Sequence, residues 1–175
     1  MKATGIVRRI DELGRIVIPK EIRRVFRIRE GDPIEIFTDG DGVVLKKYAR
    51  IRELGDYAEV YCQALTGALG FSAAVTDTET VLFASGAMKK QLLKAALSEP
   101  FIERMRTRQP VLAPEGFTLF AGETPPLRTA AVPVTSGGDV LGSVLIATDD
   151  SRLKLTETEL SILKTAALYL GKQLE

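Results

Sequence analysis

The sequence predicts an α+β protein of two modules: a small strand-rich one, then a larger one in which helices flank an antiparallel sheet. Along residues 1–52, short alternating apolar stretches are separated by turns rich in Gly and Asp, a pattern typical of strands. Along residues 56–175, strand patterns alternate with helical ones. Charge divides similarly. Residues 1–29 carry nine Lys or Arg and three Asp or Glu, whereas residues 54–175 carry eleven Lys or Arg and fourteen Asp or Glu. We therefore expect domains at 1–52 and 56–175, with a linker at 53–55.

Composition excludes several classes of function. The 175-residue chain contains no His and a single Cys, so His-based catalytic triads, Cys–His pairs and His-ligated metal sites are excluded. Neither a phosphate-binding Gly-rich loop nor a dinucleotide-binding fingerprint is present. No apolar run approaches the roughly 18 residues of a membrane helix, and no secretory signal is visible. We expect a cytoplasmic binding protein with no metal, no cofactor and no enzymatic activity.

The first module is predicted to contain four strands and one short helix. Alternating residues indicate the first two strands, Pro19 lies where it can start the helix, and the Asp-Gly repeat at 39–42 indicates a hairpin. The predicted elements are strands Gly5–Ile10, Arg15–Ile18, Ile34–Thr38 and Val43–Tyr48, a turn at 11–14 and a helix at Lys20–Arg27.

The predicted helix has an apolar side and a basic side, with Ile22, Val25 and Phe26 on the first and Lys20, Arg23, Arg24 and Arg27 on the second. A module of about fifty residues is marginally stable alone. We therefore expect two copies to pair, which buries the remaining apolar faces and doubles the basic surface. Such a surface attracts phosphates and releases counterions from DNA; the alternative is a solvated charged face without a ligand.

Residues 4–24 carry a resemblance to a known family. The string D-E-L-G-R-I-V-I-P at 11–19, with T-G-I-V-R-R-I before it and E-I-R-R at 21–24, closely resembles the swapped-hairpin DNA-binding domain of the AbrB family of transition-state regulators. Residues 34–36 and 44–48 continue the resemblance. It implies that two chains interleave their hairpins into one small β-barrel dimer that binds double-stranded DNA. By the resemblance, the DNA-contacting residues are Arg8, Arg9, Arg15, Arg23 and Arg24.

The second module is predicted to alternate helices and strands. Apolar residues recur every four positions from 57 to 69, and Thr156 with Glu159 fits a capping box. The predicted helices are Asp56–Leu69, Met88–Leu97, Phe101–Thr107 and one from Thr156 to about Leu174; the strands are Phe71–Thr76, Val81–Ser85, Arg128–Val134 and Val140–Ala147; residues 111–126 are predicted as a loop.

The end of this module resembles a GAF domain. The resemblance lies in A-V-P-V at 131–134, G-D-V-L-G-S-V-L-I-A at 138–147 and the helix that follows. It implies a sensor of small molecules or a dimerisation module, so an unidentified ligand is left open. The candidate pocket residues are Phe71, Phe83, Phe117, Phe120 and Arg128. The alternative is ordinary core packing plus one surface arginine, and Cys62 is expected to be a buried structural thiol.

The last helix suggests an assembly role. Spacings of three and four place an apolar seam on it, which would oligomerise the chain as a helical bundle; the seam residues are Leu160, Leu163, Ala167, Leu170 and Leu174. Helix-on-sheet packing also needs an apolar side, which Ile162 and Ala166 could supply. If the first modules hold two chains together as a dimer and the second modules pair this dimer with another dimer, a tetramer results.

The order of the two modules over the whole chain resembles sporulation regulators of the AbrB family. The resemblance implies a transcription regulator that activates some forespore genes and represses others. One alternative is an antitoxin-type protein, since some relatives of AbrB domains bind a toxin. Another is an enzyme carried on the second module, which the missing His and the lack of a paired-carboxylate motif disfavour.

Overall fold

The computed structural model describes residues 5–122 and 124–175. Thr4, the first residue of the AbrB-like string, and residue 123 of the predicted loop lie outside the described residues. The chain divides into two compact units, Met1–Tyr48 and Ala49–Glu175. This division falls a few residues before the linker expected at 53–55.

The N-terminal unit contains the predicted helix and the predicted second hairpin. Helix α1 spans Lys20–Val25, strand β1 Ile34–Asp39 and strand β2 Gly42–Lys47. The two strands pair antiparallel, with Ile34 opposite Lys47 and Asp39 opposite Gly42. Gly40 in the connecting turn has φ 61°, a left-handed conformation that glycine adopts without a Cβ clash.

Two predictions for this unit differ from the structure. Residues 5–10 and 15–18 form no strand within the described residues, because a strand needs a hydrogen-bonded neighbour that local sequence does not specify. Helix α1 also stops before Arg27. Arg27 has φ 50°, and the Ile28 N–H donates to the Arg23 carbonyl at 2.8 Å, as in the Schellman motif that ends helices.

Residues 5–48, the described part of the N-terminal unit, form no core of their own. No side chain in the described residues 5–48 is buried. Val7 is 86% exposed and Val17 is 72% exposed. The other large apolar side chains left exposed are Ile6, Ile10, Leu13, Ile16, Val25, Phe26, Ile36, Phe37, Val43 and Leu45. Exposed apolar surface of this extent marks an interaction surface.

The C-terminal unit is built on a five-stranded antiparallel sheet. Its strand order is β4-β3-β7-β6-β5, so the two long strands β6 and β7 pair at the centre. The strands are β3 Ser72–Thr76, β4 Val81–Ser85, β5 Val111–Phe117, β6 Leu127–Ser136 and β7 Asp139–Thr148.

Helices α2, Gly55–Leu69, and α5, Glu157–Lys172, cover one face of this sheet. Their buried residues, such as Cys62 and Leu163, share a core with Val144 and Ile146 of β7. Thr156 and Glu159 form the predicted capping box at the start of α5. Gly70 ends α2 in the left-handed conformation, with φ 76°.

Two shorter helices cover the opposite face. They are α3, Lys89–Leu92, and α4, Glu99–Arg106. Phe101 and Met105 of α4 share a second core with Leu145 and Ala147 of β7. Alternate residues of one strand therefore enter different cores, as the pleat requires.

The residues around the expected linker belong to the C-terminal unit. Residues Arg50–Leu54 form a 3₁₀ helix, in which Ile51 and Leu54 are buried in the core beneath α2. The Arg52 guanidinium lies 3.0 Å from the Asp77 carboxylate. Gly55, the last residue of the expected linker, joins this helix to α2 with φ 44°.

Two further element predictions are corrected. The predicted helix Met88–Leu97 stops at Leu92, because the chain after it turns extended and Ala96 and Leu97 form β-bridges to Thr80 and Phe120. The predicted loop 111–126 contains β5, since tertiary pairing with β6 outweighs its Pro and Gly residues.

Close contact between α5 and β6 gives a stability prediction. A Cβ on Gly171 would run into the carbonyl oxygen of Thr135. We expect Gly171→Ala to lower the free energy of unfolding by about 2 kcal/mol, because α5 must move away from the sheet. Denaturant unfolding of the full chain, followed by circular dichroism, measures the change.

Gly67→Ala is the matched control, since the space around Gly67 in α2 is open. Helix propensity alone then predicts a gain of about 0.5–1 kcal/mol. A gain at both positions would contradict the close packing of α5.

Candidate nucleic-acid interface

All five arginines predicted to contact DNA are solvent-exposed in the N-terminal unit. Arg8 and Arg9 lie in the segment before the turn at 11–14, and Arg15 lies just after that turn. Arg23 and Arg24 lie side by side in the last turn of α1, where positive charge is favoured by the helix dipole. The guanidinium groups are thus placed where a polyanion can reach them.

Asp11 organises the turn that presents Arg15. Its carboxylate accepts the N–H groups of Leu13 at 3.0 Å and of Arg15 at 2.8 Å. Its second oxygen accepts the Arg15 Nε–H at 2.8 Å. The Gly14 N–H donates to the Asp11 carbonyl at 2.9 Å, and Gly14 has φ 75°. One side chain therefore fixes both the turn and the direction of Arg15.

These hydrogen bonds lower the pKa of the Asp11 carboxyl below its ordinary value. The backbone N–H of Arg15 is the largest cause, followed by the Arg15 guanidinium. Asp11 therefore stays ionised at neutral pH. The sequence assigned residue 11 only to a turn, although an Asp that opens a turn is itself a signal for this capping.

The five residues predicted to line a pocket do not come together. Phe71 and Phe83 pack into the core under α2 and α5, whereas Phe117 and Phe120 pack into the core on the other face. The sheet lies between the two pairs. The Arg128 guanidinium donates to the carbonyl oxygens of residues 151 and 153 at 2.9 and 3.4 Å.

The predicted oligomerisation seam is corrected. Its five residues, Leu160, Leu163, Ala167, Leu170 and Leu174, are all buried in the core of the same chain. The first four form the face of α5 that packs on the sheet, because the antiparallel sheet needs an apolar cover as much as a bundle does, and Leu174 lies just after the helix. Ala166 is buried with them, whereas Ile162 is partly exposed.

A different apolar surface lies on the outer sides of α2 and α5. The Tyr61 and Tyr169 rings stack at a centroid distance of 5.8 Å and join the two helices. Tyr57 is 75% exposed. We call the exposed apolar residues beside this stack the α2–α5 surface, which comprises Tyr57, Val60, Ile162 and Tyr169.

Cys62 is fully buried, and this burial raises the pKa of its thiol to about 12, as expected for a structural thiol. None of the helices in the described ranges has the length and hydropathy that a bilayer crossing requires. Among the same residues, no three Cys, Asp or Glu side chains group as metal ligands.

Residues 53–175 match the family described as Stage V sporulation protein T C-terminal, transcription factor. The chain belongs to the stage V sporulation protein T family. Residues 7–53 match a second family, described as Antidote-toxin recognition MazE, bacterial antitoxin. The family expected from the sequence is thereby confirmed.

Similar proteins cover either the whole chain or its N-terminal unit. Stage V sporulation protein T of Bacillus subtilis (strain 168) is 46% identical over 179 residues, covering 100% of this chain and 99% of that protein. The transition state regulatory protein AbrB of the same organism is 58% identical over 48 residues, 27% of this chain and 50% of AbrB. The N-terminal unit is therefore an AbrB-type domain.

The C-terminal unit has a GAF-like fold. It is similar to the cofactor binding GAF domain of the nutrient sensor CodY from Clostridium difficile, with a TM-score of 0.52 and 16% identity. The match covers 67% of this chain and 83% of the CodY chain. Such low identity shows the fold alone. The predicted combination of an AbrB-type domain and a GAF-like domain in the stage V sporulation protein T family is confirmed.

The Asp11 turn can be tested without DNA. We expect Asp11→Ala to make amide hydrogen exchange at Leu13 and Arg15 about ten-fold faster, because both N–H groups lose their acceptor. Asp11→Asn keeps one acceptor oxygen and should have a smaller effect. Glu12→Ala is the matched control in the same turn; equal acceleration by that variant would contradict the role of Asp11.

Proposed function

We propose that this member of the stage V sporulation protein T family is a DNA-binding transcription regulator whose AbrB-type units contact DNA as a dimer. The observation that carries the proposal is the set of five exposed arginines in a segment of high positive charge. Residues 1–29 carry nine Lys or Arg against three Asp or Glu. The identity to AbrB is 58% over 48 residues.

Dimerisation follows from the exposed apolar side chains of the N-terminal unit. The described residues 5–48 contain no buried side chain, and a unit of this size cannot remain ordered without burying apolar area. A second copy supplies that area. It also supplies strand neighbours for residues 5–10 and 15–18, so interleaved hairpins complete a small barrel.

The mechanism begins with electrostatic docking of the paired arginines on the DNA backbone. Phosphate contacts position the protein, and arginine side chains can also reach base edges in the groove. Helix α1 has only six residues, which is short for a recognition helix. We infer that the dimer reads the shape and deformability of the duplex more than a strict base sequence.

The regulatory role is that of a sporulation regulator. The relative covering the whole chain is named a stage V sporulation protein, and the C-terminal family is described as a transcription factor. We infer that this chain acts in the cytoplasm of the forespore, activating some genes and repressing others, and that it has no catalytic activity.

The antitoxin alternative has one supporting observation, the match of residues 7–53 to the MazE family. That match covers only the N-terminal unit. Similarity to stage V sporulation protein T extends over both units, which favours the regulator.

The C-terminal units are proposed to join two dimers into a tetramer through the α2–α5 surface. The buried seam on α5 is already used by the sheet, whereas Tyr57 and Tyr169 are 75% and 46% exposed. Pairing two such surfaces places four helices in one bundle with aromatic side chains at its centre.

Salt dependence tests the DNA contacts. If about eight phosphates are neutralised per dimer, the logarithm of the affinity should fall with the logarithm of salt concentration at a slope near −7. Each single Arg→Ala variant changes both protomers and should make the slope shallower by about 2. Fluorescence anisotropy with a labelled synthetic duplex measures both.

The triple variant Arg8→Ala, Arg15→Ala and Arg23→Ala should lose duplex binding while it still forms the N-terminal dimer. Arg104→Ala, which changes an exposed arginine of α4, is the matched control and should bind like the parent chain. A folded triple variant with parental affinity would overturn the site assignment.

Analytical ultracentrifugation tests the assembly. The parent chain should sediment as a tetramer, and the double variant Tyr57→Glu, Tyr169→Glu as a dimer, because buried carboxylates would repel each other. The dimeric variant should still bind duplex DNA through its N-terminal units. Gln91→Glu on α3, on the opposite face of the sheet, is the control and should remain tetrameric. A dimeric parent chain would contradict the bundle.

A further inference from the structure

The segment after α1, residues 27–32, is tied to β2 by one lysine and one aspartate. The Lys47 Nζ lies 3.1 Å from Asp32 Oδ2 and donates to the Arg27 carbonyl at 3.4 Å. The same Asp32 oxygen accepts the Arg29 N–H at 2.8 Å. We call this arrangement the Asp32–Lys47 clamp. It holds the backbone on both sides of Ile28.

The clamped residues are the ones that close α1. The Ile28 N–H donates to the Arg23 carbonyl at 2.8 Å, and the Arg27 N–H donates to the Arg24 carbonyl at 3.4 Å. The backbone of both helix arginines is therefore hydrogen-bonded to the segment that Lys47 and Asp32 hold. Lys47 itself is fixed in the hairpin ladder opposite Ile34.

The clamp is more sheltered from solvent than the Arg15–Asp11 ion pair of the same unit. The Lys47 and Asp32 side chains are 27% and 21% exposed, whereas Arg15 and Asp11 are 69% and 40% exposed. Salt and water weaken a sheltered pair less. Within one chain, where no described side chain of residues 5–48 is buried, the clamp is a polar tie between the end of α1 and the hairpin.

We propose that Asp32 and Lys47 are positioning residues for DNA binding, which set the placement of Arg23 and Arg24 on the β1–β2 hairpin. The proposal rests on the proposed function, because it concerns the same DNA surface. A positioning role and a purely electrostatic role predict opposite effects on DNA affinity when the charge of Asp32 is removed. Removing an acidic group near a polyanion should strengthen binding if charge alone matters, whereas removing a positioning residue should weaken it.

The experiment compares isosteric or near-isosteric variants of the full chain. Asp32→Asn and Lys47→Met should each weaken binding to a fluorescein-labelled synthetic duplex by about ten-fold. The ordering of one side chain changes a binding constant by roughly three-fold, and a dimer loses two clamps, one in each protomer. The double variant should bind the duplex no more weakly than either single variant, because all three variants lack the same Asp32–Lys47 contact. Lys47→Arg should restore most of the affinity.

Glu30→Gln is the matched control, with the same change of charge two residues from Asp32, and should bind as tightly as the parent chain or more tightly. The salt slope should stay at its parental value in Asp32→Asn and Lys47→Met, because no phosphate contact is removed. Sedimentation and circular dichroism confirm that each variant keeps its assembly and fold.

Two results would overturn the clamp. Asp32→Asn binding as tightly as the parent chain, or more tightly, would show that the aspartate positions nothing that DNA needs. A slope shallower by about 2 in Lys47→Met alone would make Lys47 a direct phosphate contact. Failure of the proposed function is separate: the parent chain itself would then show no salt-dependent duplex binding.

Discussion

Burial of apolar surface is the constraint on which the architecture depends, and the two units meet it differently. The C-terminal unit buries both faces of its sheet under its own helices. The N-terminal unit leaves side chains such as Val7 and Val17 largely exposed. Apolar area removed from water is the main source of stability, so the C-terminal unit meets the constraint within one chain. In the N-terminal unit the proposed pairing of two copies supplies the missing burial, which links the proposed assembly and DNA binding in the same segment.

Acidic residues in the N-terminal unit act as local ties. Asp11 fixes the turn before Arg15 through three hydrogen bonds, and Asp32 holds the end of α1 through Lys47 and the Arg29 N–H. Each carboxylate lowers the net positive charge that attracts DNA. In return each restricts flexible basic side chains or their backbone, so that fewer conformations are lost when phosphates bind.

The two sides of α5 have different roles. The side with Leu163 and Leu170 packs on β6 and β7, and Gly171 permits the helix to approach the backbone of Thr135. The outer side carries Tyr169, which stacks on Tyr61 of α2. Aromatic rings combine large apolar area with few rotatable bonds. A stacked pair on an exposed helical surface is thus suited to contact with another copy of the chain.

The sequence by itself determined the family, the basic character of the N-terminal segment, the hairpin at 39–42 and the capping box at Thr156, because each depends on local residue types at fixed spacing. It did not determine which partner covers an apolar face: the leucine seam of α5 fits a bundle and a sheet equally well, and only the tertiary structure places it on the sheet. The pocket grouping of Phe71 with Phe117 and the helix expected at 88–97 differ from the structure for the same reason. Which sheet face a side chain occupies, and whether a segment finds a bridging partner, are decided by contacts between residues distant in the chain.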